Sequence, residues 1–151
     1  MADPVTLLCS ILTIADASKK VSDVCTYYIS HAKNAPKELQ IIIDDLSALT
    51  KTVKKLDQVA KSVQKTDATI KQLTEWDVPL KRLDGYTEDL NNLINRQDMK
   101  IGLFHEIAFR TRWPSAWREA QTCLVGISRE KHHLHLETTI YGVWVKTLLA
   151  L

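Results

Sequence analysis

The chain has 151 residues, of which 45% are hydrophobic and 25% charged, and its formal net charge is +2. That length supports one domain with its own core, and the composition excludes a disordered chain. So small a net charge does not by itself recruit nucleic acid, and four glycines with four prolines are too few for a fold rich in turns and strands.

The run from Pro4 to Ala15 carries no acidic or basic side chain. Asp3 suits an N-cap and Pro4 a first helical position, so a helix is expected almost from Met1. Val5, Leu7, Leu8, Ile11, Leu12, Ile14 and Ala15 project onto an arc of roughly 200°, opposite Thr6, Ser10 and Thr13. The polar strip is uncharged, which suits a helix wedged into a bundle; an interfacial membrane helix usually carries Lys or Arg there. No Lys or Arg precedes the run, which argues against a signal peptide. About 21 Å of helix is also short of a hydrocarbon core of about 30 Å. A soluble, cytoplasmic chain is expected. Ser18 is placed to end or bend this helix, and Val21, Val24, Cys25, Tyr28 and Ile29 mark a second one that Asn34-Ala35-Pro36 stops.

The most regular segment follows. Leu39, Ile42, Leu46, Leu49, Val53, Leu56, Ala60 and Val63 alternate spacings of three and four, a 3.5-residue seam. Lys51, Lys54, Lys55, Lys61 and Lys65 fall mostly off it, as a solvated face beside Asp44, Asp45 and Asp57. Thr66-Asp67 caps the next expected helix, with Ile70, Leu73, Leu80, Leu83, Leu90 and Ile94 inward and a kink or break at Pro79. From Met99 to Arg112 the pattern fades to a short helical turn or connector, with Leu103, Phe104, Ile107 and Phe109 tucked in. Trp113-Pro114-Ser115 is then expected to open a last long helix, with Trp117, Ala120, Leu124, Ile127, Leu134, Tyr141, Val145 and Leu148 as its stripe. The apolar ending VKTLLAL suggests a domain from the N-terminal part of a longer protein. The expected fold is all-α: one antiparallel bundle of four to five helices over residues 1–151, with rods about 45 Å long.

Chemistry that needs converging groups finds few candidates. There is no glycine-rich phosphate loop, no GxSxG and no HExxH, so no catalytic residue, cofactor or enzymatic activity is expected. His132, His133 and His135 form the only metal-like cluster, but His133 points away from the other two on a helix, and no metal site is assigned. Cys9, Cys25 and Cys123 lack CxxC spacing and read as buried thiols in a reducing compartment. The four tryptophans are expected to pack rather than stack on bases, with Arg110, Arg112 and Arg118 making cation contacts inside the bundle. No nucleic-acid partner is expected.

Three stretches, MADPVTLLCSILTIADASKKV, NAPKELQIIIDDLSAL and RTRWPSAWREAQTCLVGISREKHHLHLE, together resemble the N-terminal HeLo-like domain of fungal STAND, or NOD-like, receptors. The resemblance runs from Met1 to about Leu136. It implies a bundle related to the HET-S HeLo domain, to the four-helix domain of the mixed-lineage kinase-like pseudokinase and to the coiled-coil or RPW8 domains of plant resistance proteins. It further implies a cell-death or membrane-targeting effector switched by oligomerisation of attached regions.

On that basis the expected resting state is a latent soluble bundle. Its N-terminal helix (Val5, Leu7, Leu8, Ile11, Leu12, Ile14) packs on the seam Leu39, Ile42, Leu46, Leu49, Val53 and Leu56, and is released toward membrane on clustering. Burying six large aliphatic side chains contributes about 9 to 18 kcal/mol, so release into water alone is rare. Lys19, Lys20, Lys54 and Lys55 are the candidate contacts for anionic headgroups. The expected partners are anionic lipids, further copies of the chain and the receptor regions downstream. The alternative is a non-lytic interaction module whose heptad faces pair with a partner or with themselves to regulate an attached nucleotide-binding region.

Overall fold

Residues that recur at alternating spacings of three and four define a stripe on a helix, and such a stripe is stable only when another stripe covers it. The computed structural model describes residues 4–62 and 75–150, with side chains described for 6–59 and 75–135. Among the described residues the chain is an all-α bundle of α1 (Pro4–His31), α2 (Glu38–Ser62), α3 (Asp77–Arg96) and α4 (Leu103–Ala150). Helix α1 packs on α2 and α3, and α4 packs on the same two helices. One continuous apolar cluster fills the space between them.

The two short helices expected at the N-terminus are a single helix of 28 residues, about 42 Å long. The reason lies in its buried positions: Leu7, Ile11, Ile14, Ser18, Val21, Cys25 and Tyr28 form one unbroken heptad stripe. Ser18 therefore neither ends nor bends the helix. It is a buried rung of the stripe, 1% exposed, and its hydroxyl has no hydrogen-bond partner.

The α2 seam is as expected, with Leu39, Ile42, Leu46, Leu49, Val53 and Leu56 all buried and Lys51, Lys54 and Lys55 exposed. The cap at Thr66-Asp67 and the positions Lys61, Val63, Lys65, Ile70 and Leu73 lie outside the described side chains. Helix α3 starts at Asp77 after a turn at Trp76, which puts Pro79 in its first turn. A proline there gives up an N–H that has no intrahelical acceptor, and the expected division falls at Trp76, between helical Glu75 and the start of α3. Leu80 closes the turn, donating its N–H to the Trp76 carbonyl at 3.0 Å.

The connector expected around residue 103 is instead the beginning of α4, whose 48 residues run through Pro114. Trp113-Pro114 thus lies inside the last helix. Pro114 cannot bond to the Arg110 carbonyl, and the residue before a proline disfavours helix. Aromatic packing offsets that cost. Tyr28 of α1 meets Phe109 at 4.8 Å between ring centroids, Phe109 meets Trp113 at 5.3 Å, and Trp113 meets Trp117 at 6.1 Å.

A buried hydroxyl without a partner is costly, and alanine is the better helix former. Ser18→Ala is therefore expected to stabilise the bundle by about 1 kcal/mol, read as a higher urea midpoint at unchanged slope.

Candidate functional site

Helix α1 and the α2 seam do come together. Leu7, Ile11 and Ile14 share one buried cluster with Leu39, Ile42, Leu46, Leu49, Val53 and Leu56. The apolar arc of α1 is narrower than its composition suggested, because the stripe through Ser18 and Val21 fixes the rotation of the whole helix. Leu12 lies about 130° round from that stripe and is 66% exposed. Leu8 is half-buried, and Val5 lies outside the described side chains. Full burial of three aliphatic chains contributes about 4.5 to 9 kcal/mol, roughly half of what six would give. The α2 seam is consumed inside the bundle, so in this state it offers no face to a partner.

The candidate lysines lie on two neighbouring helices. Lys19 and Lys20 are exposed on α1 and pair along the helix with Asp23 at 2.8 Å and Asp16 at 3.0 Å. The bond to Asp23 raises the Lys19 pKa. Solvent screens such pairs and they add little stability, but any headgroup must compete with them. Lys54 and Lys55 lie on the solvent side of α2. Among the described residues no helix is long and apolar enough to cross a membrane.

The α3–α4 corner is built by charge and backbone geometry. Asp98 adopts a left-handed φ of 51° and Gly102 a φ of 136°, a reversal for which aspartate and glycine are well suited. The Arg112 guanidinium donates to the Gln97 carbonyl at 2.6 Å, satisfying an acceptor at the end of α3. Glu106 turns back on the start of its own helix and accepts the Gly102 N–H at 3.1 Å. It also accepts the Lys33 N–H from the α1–α2 connection at 2.8 Å. These two backbone donors hold the Glu106 carboxyl below its ordinary pKa.

The corner also corrects an expectation. Phe109 is buried, but Leu103, Phe104 and Ile107 are exposed. Read backwards from Phe109, the α4 stripe passes through Glu106 and Gly102, so these apolar residues fall beside it. That backward reading was the available signal, and a helix assumed to start at Trp113 concealed it.

On the other side of the bundle, α3 and α4 approach closely over Gly126. A Cβ there would come within 2.5 Å of the Tyr86 ring, so the glycine that weakens the helix also admits the ring. The Tyr86 hydroxyl accepts a hydrogen bond from Arg129 at 2.8 Å. Glu130, 3% exposed, is met by Arg82 at 3.4 Å and Arg129 at 3.6 Å. Two open clefts lie along α3 and α4, one of about 420 Å³ lined by Tyr86, Gly126 and Arg129 and one of about 340 Å³ lined by Asp89, Arg96 and Glu119.

The cysteines differ from one another. Cys9 is exposed, contrary to expectation, Cys123 is half-buried and Cys25 is buried. Burial pushes the Cys25 thiol up to about 12 and also raises Cys123, which disfavours the nucleophilic thiolate at both. His132, His133 and His135 are exposed. No group of three or more metal-ligating side chains converges among the described residues.

Fold and surfaces together define a class, the all-α helical bundle whose apolar stripes close on one another. Compared with protein-family models, curated proteins and solved structures, the chain gives no match in any of the three.

Because the folded Glu106 pKa is lowered, its contribution to stability is present above the ordinary carboxylate pKa and lost as pH falls through the folded value. Glu106→Gln is expected to melt below wild type at neutral pH. The gap should close as pH falls below about 4.3, as followed by circular dichroism melts across pH.

Proposed function

We propose that the chain is a latent effector domain of a cell-death or immune-type receptor, acting at membranes through the N-terminal part of α1 when copies are clustered. The observation that carries this reading is the uneven hold on α1. Its first turns are retained by Leu7, Ile11 and Ile14, the next rung is the polar Ser18, and only beyond it do Val21, Cys25 and Tyr28 resume the stripe. Opening as far as Ser18 exposes the three aliphatic residues and leaves the aromatic contact at Tyr28 in place. A membrane or a second copy that covers those residues recovers most of the cost, so clustering shifts the equilibrium where dilution does not.

The resemblance to HeLo-like domains supports the same reading. The helix continues through Lys19 and Lys20, so the segment beyond Ser18 supplies cations at the headgroup level. The non-lytic alternative would have to use surfaces other than the α2 seam, which the bundle already covers.

Ile11→Glu would place a charge in the core, so its loss of function could reflect unfolding. Leu12, already exposed, gives the cleaner test. Leu12→Glu is expected to leave stability within about 0.5 kcal/mol of wild type and to abolish dye leakage from anionic liposomes by the artificially clustered domain. A folded Leu12→Glu protein that leaks as well as wild type would overturn the proposal.

A further inference from the structure

Large apolar side chains at the α3–α4 corner stand out of the bundle. Phe104 is 84% exposed and Leu103 68%, with Ile101 and Ile107 also exposed beside them. The intramolecular core has no use for them, because the α4 stripe runs through Glu106 and Gly102 instead. Their surroundings are basic. Lys100 and Arg110 are exposed on either side in sequence, and the bond from the Lys33 N–H to Glu106 brings the exposed Lys33 of the α1–α2 connection to the same place. Two carboxylates share the corner, Asp98 3.6 Å from Lys100 and Glu106 turned onto two backbone amides, and the cations Lys33, Lys100 and Arg110 outnumber them.

An apolar cap whose rim carries more cations than carboxylates complements a bilayer with anionic headgroups. The apolar side chains enter the interface while the long basic side chains stay among the phosphates. The geometry points to this corner as a membrane-docking tip that works in the resting, unclustered bundle. It goes beyond the release of α1 and does not require it. Docking through the tip would concentrate copies on a surface before any helix opens.

The test uses the unclustered 151-residue chain with vesicles of phosphatidylcholine, alone or with phosphatidylserine, scored by co-sedimentation. Wild type is expected to bind the phosphatidylserine vesicles and to be released by salt. The double variant Leu103→Ser with Phe104→Ser, whose altered side chains touch solvent, should melt like wild type and bind about tenfold less or weaker. Lys33→Gln with Arg110→Gln should lose a similar factor and most of the salt dependence. Failure of wild type to bind, or equal binding by the serine variant, overturns the proposal. So does equal binding to both vesicle types. Sedimentation velocity without lipid covers the remaining case: a wild-type dimer that the serine variant converts to monomer would make the corner an interface between copies and overturn the lipid assignment. Leakage by the clustered domain depends on Leu12 and is read separately, so failure here leaves the α1 proposal standing.

Discussion

Everything in this bundle depends on four heptad stripes closing on one another. Each helix has a single narrow apolar edge, and none of the four can bury it alone. The stripes set the rotation of every helix, and rotation decides which residues remain outside. Leu12 is exposed because Ser18 and Val21 must face inward, and Phe104 is exposed because Phe109 and Trp113 must. The surface features are thus by-products of the core's register.

The stripes are not wholly apolar, and the polar rungs are handled differently. Thr87 donates its hydroxyl back to the Leu83 carbonyl at 2.9 Å, a local solution that any helix offers. Glu130 needs Arg82 from α3 and Arg129 from its own helix, so it joins two elements and penalises any packing that separates them. Ser18 has no such answer. A polar rung without a partner weakens the helix edge where it sits, and here it divides α1 into an apolar N-terminal part and a part anchored by Tyr28. The Glu106 carboxylate holds the other end together by tying the α1–α2 connection to the start of α4.

Much of this was legible in the sequence. The α2 seam was read residue for residue, because six leucine, isoleucine and valine positions keep perfect spacing with no polar interruption. The all-α class followed from the scarcity of glycine and proline. The misplaced helix boundaries share one cause: a local signal at Ser18 or Pro114 competes with a stripe that overrides it. Ser18 looked like a cap, yet the spacing of Ile14, Ser18 and Val21 continues the heptad through it. Pro114 looked like a helix start, yet Phe109 and Trp113 already sit at stripe spacing before it. The Glu106 clamp could not be read at all, since it joins residues 73 positions apart and no local pattern encodes such a contact. The exposed tip followed from the same error over where α4 begins.

On the proposed function, α1 opens in its N-terminal part alone, with Ser18 as the limit, when copies are clustered on a membrane. Hydrogen exchange of the backbone amides, compared between the free bundle and the domain clustered on anionic vesicles, tests this most directly. Protection is expected through α1 in the free bundle and, on clustering, a change confined to amides before Ser18 while those from Val21 to His31 stay protected. An α1 whose protection is the same in both states, or changes uniformly along its length, would contradict it.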